Sequence, residues 1–313
     1  MSFLPFLFLL DTYIILPWDY TFSLKYCTFL TVADVLYDLS YGLSIPFNNN
    51  VAQSIKTEWD PSANTLFYVV DRVHGGIIAK YKVGSLGGLI IIHTQLRSAQ
   101  TPPFFCFHHL NSFDDPATGD IIIDMSIYQS NSIIELTKYA SLRNLGANPL
   151  TFPQARRFRL PAPLSSPPQR DTQDAVVEYT FPLEQNIELP TVVPHVQSRP
   201  YRFAYGIHKQ DIPGRATLSD SLIKLDMAAG PTAEGATKVW DAGGTPSEPI
   251  FVPRPGAAQG KEGEDDGVLL TVVLDEDAVR SRLVVLDARE MREVARAEMD
   301  KVFPIGFHGV FCG

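Results

Sequence analysis

Phe104-Phe-Cys-Phe-His-His-Leu-Asn-Ser-Phe-Asp-Asp115 is the stretch on which the reading of this chain turns. Two adjacent histidines stand behind four nearly unbroken apolar residues, and an asparagine and two carboxylates follow. An apolar run of that length, entered from Pro102-Pro103, predicts a strand buried on both faces. An imidazole at the end of such a strand would sit in a dry, shaped place, where a neutral nitrogen makes a good metal ligand. A core histidine satisfied by a backbone carbonyl is the plainer alternative, and this stretch alone does not separate the two.

Composition sets the frame. At 313 residues the chain is long enough to bury a substantial core. Charged residues make up 19%, and 24 prolines with 21 glycines signal many turns. A net charge of −9, with no Lys/Arg stripe, argues against a nucleic-acid partner. Cys27, Cys106 and Cys312 are odd in number and far apart, so no disulfide framework is predicted and a reducing, cytoplasmic setting fits. The opening Ser2-Phe-Leu-Pro-Phe-Leu-Phe-Leu-Leu10 is too brief to span a bilayer and lacks the basic start of a signal peptide. It reads as a buried strand. Tyr20 to Phe47 is aromatic-rich and charge-poor without a clean period, which suits either core or a patch in peripheral contact with a membrane.

On either side of the histidine pair the pattern is one of short strands. Leu66–Asp71 and Ile77–Tyr81 read as a hairpin turned at Gly75-Gly76, and Leu89–His93 as a further strand. Asp120–Ile127 follows the opening stretch across a turn. Ser132–Leu145 is predicted as a helix and Ala147–Asp174 as a surface loop. Strands are predicted at Val176–Phe181, Ile187–Pro190, Tyr201–Tyr205, Ser221–Asp226 paired with Thr237–Asp241, Pro249–Pro253, and Val268–Asp275 paired with Leu283–Asp287. The charged Ala288–Ala297 segment is left unassigned, and Phe303–Phe311 reads as an apolar strand end. No exact repeat is visible, and the recurring hairpin and turn suit the diverged blades of an all-β propeller. No boundary divides the chain, so residues 1–313 are read as a single domain.

Local motif chemistry is sparse. Among seven histidines none has His-x-x-x-His spacing, and there is no Cys-x-x-Cys or Gly-x-Ser-x-Gly. A site would have to be assembled from distant strands. Phe107-His108 and Phe307-His308 are the same local device at distant points, and Glu188 and Glu248 each precede a proline-marked strand. A carboxylate among apolar neighbours costs several kcal/mol unless it accepts hydrogen bonds, and a metal-bound imidazole N–H is a good donor. The alternative places both glutamates, exposed, at strand starts.

Six motifs stand in order: Phe105-x-Phe-His-x-x-Asn-x-Phe-Asp114, Ser247-Glu-Pro-Ile-Phe-Val-Pro-Arg-Pro-Gly256, Glu264-Asp-Asp-Gly-Val-Leu-Leu-Thr-Val-Val-Leu-Asp275, Leu286-Asp-Ala-Arg289, Glu293-Val-Ala-Arg-Ala-Glu298 and Pro304-Ile-Gly-Phe-His-Gly309. Together they resemble the carotenoid cleavage oxygenase family, from about residue 10 to the end. The resemblance implies a seven-bladed β-propeller with a dome of loops and helices, and an Fe(II) on its axis held by four histidines. His108 matches the third ligand and His308 the fourth. Glu188 and Glu248 match two of the three glutamates that orient the ligands, and His109 matches a position that is not a ligand. Thr12-Tyr-Ile-Ile-Leu-Pro17 looks like the strand after the second ligand, whose His-Asp pair should stand near Pro5-Phe6 and does not. The propeller is therefore expected to be incomplete, lacking its first two or three blades.

Two functions follow. By resemblance, Fe(II) and O2 would split a conjugated C=C bond of a hydrophobic polyene, a carotenoid or apocarotenoid, into two carbonyls, with a stilbene-type phenolic olefin as the alternative substrate. The competing reading is a catalytically inactive propeller remnant or an incomplete gene model, because two imidazoles alone hold Fe(II) weakly. The setting expected is cytoplasmic, or peripheral to a membrane.

Overall fold

The computed structural model describes residues 102–144, 151–161, 171–210, 217–255, 263–275 and 279–311 continuously, with 61, 212 and segments at 9–10, 13–14, 21–22, 26–31, 64–71, 77–83, 91–92 and 95–96. β1 (Leu9–Leu10) and β2 (Tyr13–Ile14) pair as a short ribbon. The first meander joins β3 (Thr21–Phe22), β4 (Tyr26–Thr31), β5 (Thr65–Asp71) and β6 (Ile77–Val83), all antiparallel. β7 (Ile91–Ile92) and β8 (Gln95–Leu96) form a small hairpin.

The second meander carries the opening stretch. β9 (Phe105–Asp114) pairs with β10 (Ile121–Tyr128), which pairs with β11 (Gln154–Leu160). β12 (Gln173–Asp174) leaves to run parallel to β6, and β13 (Val176–Thr180) returns to β11. The third meander is β14 (Glu188–Val192), β15 (Phe203–His208), β16 (Ser221–Asp226) and β17 (Thr237–Asp241). In the fourth, β18 (Gly244–Pro246) and β19 (Ile250–Pro253) share one edge of β20 (Gly267–Asp275), followed by β21 (Ser281–Asp287) and β22 (Arg292–Met299). These four up-and-down sheets are the blades of an all-β propeller, incomplete in the described residues.

Blades pack face to face, and β10 shows how. Every one of its residues is buried. Ile121, Ile123, Met125 and Ile127 point toward Phe67, Val69 and Tyr81 of the first blade. Ile122 joins the core shared with the third and fourth blades. The polar members of that second face are satisfied in place. Asp124, with no exposed surface, accepts from Arg157 Nε and Nη2 at 2.8 and 2.7 Å and from the Tyr201 hydroxyl at 2.7 Å.

The structure departs from the sequence reading in four places. Residues 154–160, expected within a loop, are β11; the arginine run hides the strand because Arg157 is one of its inward residues, drawn in by Asp124. The helix expected over Ser132–Leu145 is two short ones, α1 (Ser132–Leu136) and α2 (Tyr139–Leu142). Thr137 ends the first by turning its hydroxyl back onto the Ile133 and Ile134 carbonyls at 2.9 and 3.2 Å. The charged segment after Ala288 contains a largely exposed outer strand, β22. Residues 303–311 form no strand; they run as irregular backbone anchored by the Ser281 hydroxyl, which bridges the Phe303 N–H and carbonyl. Most of Tyr20–Phe47, with His74 and His93, lies outside the described residues. Among the described residues no helix is long and apolar enough to cross a membrane.

Candidate metal centre

β9 carries two β-bulges. Cys106 pairs with Ile127 and His108 with Ser126, which leaves Phe107 extra; His109 pairs with Met125 and Asn111 with Asp124, which leaves Leu110 extra. In a regular strand, residues three apart point to opposite faces. Each extra residue reverses that parity, so Phe105, His108 and Asn111 all share the face of Tyr128, Ser126 and Asp124. The Asn111 carboxamide then holds the connection beyond the next blade's first strand. It donates to the Val196 and Arg199 carbonyls at 3.1 Å each and accepts from the Ser198 N–H at 2.9 Å. His109 turns to the Met125 face. Burial pushes it down to about 3, with His108 adding to the effect, and its Nδ1 is buried without a partner among the described residues.

Glu188 comes to His108 from a third bulge. It pairs with Ile207 and Thr191 pairs with Tyr205, so Leu189 and Pro190 together oppose Gly206. Leu189 takes the left-handed conformation at φ 44°, which a leucine adopts only under tertiary constraint. Opposite it, a Cβ on Gly206 would stand 2.5 Å from Ile187 Cγ1 and 2.7 Å from the Glu188 carbonyl oxygen. The Glu188 carboxylate accepts from His108 Nδ1 through Oε1 and from the Tyr128 hydroxyl, at 3.0 Å, through Oε2. Burial, and then the Glu188 charge, raises the Tyr128 phenol well above its ordinary value, so it stays a donor.

The second imidazole is held from the fourth blade. Pro246 pairs with Val273 and Ile250 with Leu270, so Ser247-Glu248-Pro249 bulges against Thr271-Val272. Ser247 is tied down on β20: its N–H donates to the Val272 carbonyl at 2.9 Å and its hydroxyl accepts the Val272 N–H at 3.1 Å. Glu248 is thereby thrown toward the C-terminal segment. It accepts from His308 Nδ1 at 3.3 Å and from the Gly309 N–H at 2.9 Å. Glu188 and Glu248 are only 14% and 15% exposed, which rules out free carboxylates at strand starts.

His108 and His308 meet edge to face, with Nε2 atoms 3.3 Å apart and ring centroids 5.1 Å apart. Each Nδ1 faces a carboxylate and so carries the proton, which leaves a lone pair on each Nε2. While both rings are neutral, two lone pairs aimed at one another repel, and neither nitrogen can donate to the other. A cation removes the conflict: two imidazole nitrogens bound about 2.1 Å from one ion lie on the order of 3 Å apart. The pair therefore fits one edge of a metal's coordination shell. Among the described residues no group of three or more metal-binding side chains converges. His308 does not occupy the dry strand end expected of it; its side chain is 58% exposed. His208 realises the plain alternative instead, a buried histidine satisfied by the Asn186 carbonyl at 2.8 Å, and His195 is exposed. Ser126 and Tyr128 escaped the sequence reading; the available signal was three polar or polar-tipped residues, Asp124, Ser126 and Tyr128, alternating with apolar ones in a strand that is aliphatic up to Ile123.

The description "Retinal pigment epithelial membrane protein" belongs to the family whose profile matches residues 11–313. A carotenoid dioxygenase of Neurospora crassa is 30% identical, the match covering 86% of this chain and 43% of that protein. A torulene dioxygenase of Fusarium fujikuroi is 31% identical over 86% of this chain and 45% of its own length. The mitochondrial carotenoid-cleaving dioxygenase of Macaca fascicularis is 32% identical over 81% and 45%. This chain thus spans less than half the length of these relatives. Among solved structures, a variant of the Synechocystis apocarotenoid oxygenase superposes with a TM-score of 0.66 at 25% identity, over 93% of this chain and 51% of that one.

Proposed function

Because the chain belongs to the retinal pigment epithelial membrane protein family of carotenoid oxygenases, we propose that it serves O2-dependent cleavage of a conjugated C=C bond in a carotenoid or apocarotenoid, with His108 and His308 holding Fe(II). The observation that carries this reading is the pair of Nε2 atoms facing one another at 3.3 Å, each imidazole backed by its own glutamate.

In this reading each part of the chain has a defined task. His108 and His308 offer neutral Nε2 lone pairs, while Glu188 and Glu248 fix the tautomer and raise the basicity of the ring each one holds. Fe(II), when bound, would supply the binding and activation of dioxygen. Phe107, partly exposed and packed beside His108, offers an apolar surface that suits a polyene, backed by the buried Phe105 and Tyr128. One C=C bond and one O2 become two C=O groups, so atoms and electrons balance without an outside reductant. The relatives named for carotenoid and torulene cleavage favour a polyene over a stilbene-type phenolic olefin. A substrate of that kind resides in bilayers, so we further propose a cytoplasmic chain in peripheral contact with a membrane; flotation with phospholipid vesicles reads this, and failure to float removes it.

One observation favours a second reading, that this chain is a non-catalytic propeller remnant. Only two imidazoles converge among the described residues, and one is more than half exposed. Purified chain, loaded anaerobically with Fe(II), separates the two. Stoichiometric iron with O2-dependent conversion of torulene to carbonyl products supports the oxygenase; iron far below one per chain and no conversion leaves the remnant.

A further inference from the structure

We propose that Tyr128 is a positioning residue, fixing the Glu188 carboxylate and through it the tautomer and orientation of His108. The functional meaning of this role rests on the metal reading above. Three observations carry it. First, Tyr128 is a buried aromatic whose hydroxyl takes Glu188 Oε2 as its partner at 3.0 Å, leaving Oε1 for His108. Second, the ring is confined: Phe107 stands edge-on at 5.7 Å and 80°, Phe105 lies at 6.3 Å, and Ile133 and Ile134 of α1 close the cluster. Its hydroxyl therefore has little freedom to follow a wandering carboxylate.

Third, Ser126, two residues earlier on the same face, donates to the Ile187 carbonyl at 2.9 Å, one residue before Glu188. β10 thus grips Glu188 twice, by its neighbouring main chain and by its carboxylate, while Ser126 is also the ladder partner of His108. Imidazole, carboxylate and phenol are all referenced to one rigid strand. The His308 half is built differently. The second oxygen of Glu248 takes the Gly309 N–H instead of a side chain, and that histidine is 58% exposed against 22% for His108. The His108 half is thus more buried and held by more side chains than the His308 half, and the Tyr128 hydroxyl is the group that holds its carboxylate.

Tyr128→Phe keeps the ring and removes only the hydroxyl. In the metal-free chain, 15N-detected imidazole spectra should show His108 as the Nδ1–H tautomer; in the variant this form should mix with the Nε2–H form, and its proton should exchange with water about tenfold faster. Co(II) affinity should fall about 3–10-fold. In a Glu188→Gln background the same change should cause no further loss, because the phenol acts through that carboxylate. An unchanged tautomer in a folded variant, or losses that add in the double variant, overturns the proposal. Should the wild-type chain take up no Co(II), the metal reading fails, and the tautomer of metal-free His108 alone decides the role of Tyr128.

Discussion

His108 and His308 reach the same point from positions 200 residues apart, and each does so with a glutamate at its back. At this scale the chemistry lies in which nitrogen of each ring carries the proton. Removing either imidazole should abolish Fe(II) binding: His108→Ala and His308→Ala are expected to show no heat in an anaerobic calorimetric titration. Glu248→Gln should weaken binding roughly 10–100-fold, as changes to groups behind a ligand do. His109→Ala should bind as the parent does, because that ring faces the opposite side of β9. Unchanged affinity in His308→Ala would refute the assignment.

Elements aim these side chains through irregularity. His108, Glu188 and Glu248 all stand at β-bulges, and in the two glutamate bulges a proline, which has no N–H to pair, follows within two residues. The bulge at Glu188 needs the bare backbone of Gly206 opposite it. Gly206→Ala would drive a methyl into the Ile187 side chain and the Glu188 carbonyl, and Ser126 keeps that main chain from retreating. We expect a stability loss of about 1–3 kcal/mol by urea unfolding, with weaker metal binding alongside. The β15–β16 hairpin is closed by Asp220. Burial pushes its carboxyl up, but the Gln210 N–H, Lys209 and Ser221 outweigh this and leave it below its ordinary value. A carboxyl depressed in the fold stabilises above the unfolded-state value of about 3.9, and the contribution is lost as the pH falls through the folded value. Asp220→Asn leaves the largely buried Lys209 ammonium without its carboxylate, which costs about 3–5 kcal/mol at pH 7, and the gap to the parent should narrow as the pH drops below about 4.

For the whole molecule, the blades are joined by polar clasps as well as apolar cores. Asp124 of the second blade binds Arg157 of its own sheet and Tyr201 at the entrance to the third. Two carboxylates of the Glu264-Asp-Asp266 motif before β20 reach the third blade: Glu264 accepts the Arg202 and Phe203 N–H groups at 2.8 Å each and Asp265 the Lys224 ammonium at 2.8 Å, while Asp266 holds the Arg254 guanidinium at 2.9 Å within its own blade. Asp124→Ala leaves a mostly buried guanidinium without its carboxylate, which costs about 3–5 kcal/mol. Because that cluster spans two blades, in a Trp18→Phe/Trp59→Phe background that leaves Trp240 of the third blade as the sole tryptophan, the loss should appear as a lower urea midpoint shared by its fluorescence and the far-UV signal of the whole chain. Separate midpoints would show that the blades unfold independently.

The sequence by itself determined the all-β blades, because alternation and turn residues are local. It drew attention to His108 and His308 through their shared Phe-His frame and to Glu188 and Glu248 through the prolines that follow them, but left each with a plain alternative, and only the resemblance to a known family assigned them a role. It lost β11, whose inward arginine reads as surface until Asp124 is known to face it. Only the tertiary structure decided which way the site residues point. A bulge is a mismatch between two strands, and nothing in Phe107-His-His-Leu110 says which of its residues will lack a partner on β10. The role of Tyr128 was hidden for the same reason, since a phenol becomes a positioning group only when a glutamate 60 residues away is folded against it. His308 shows the converse: its neighbours suggested a buried strand, but without a ladder partner among the described residues it stands half in solvent, held by Glu248 alone among side-chain carboxylates.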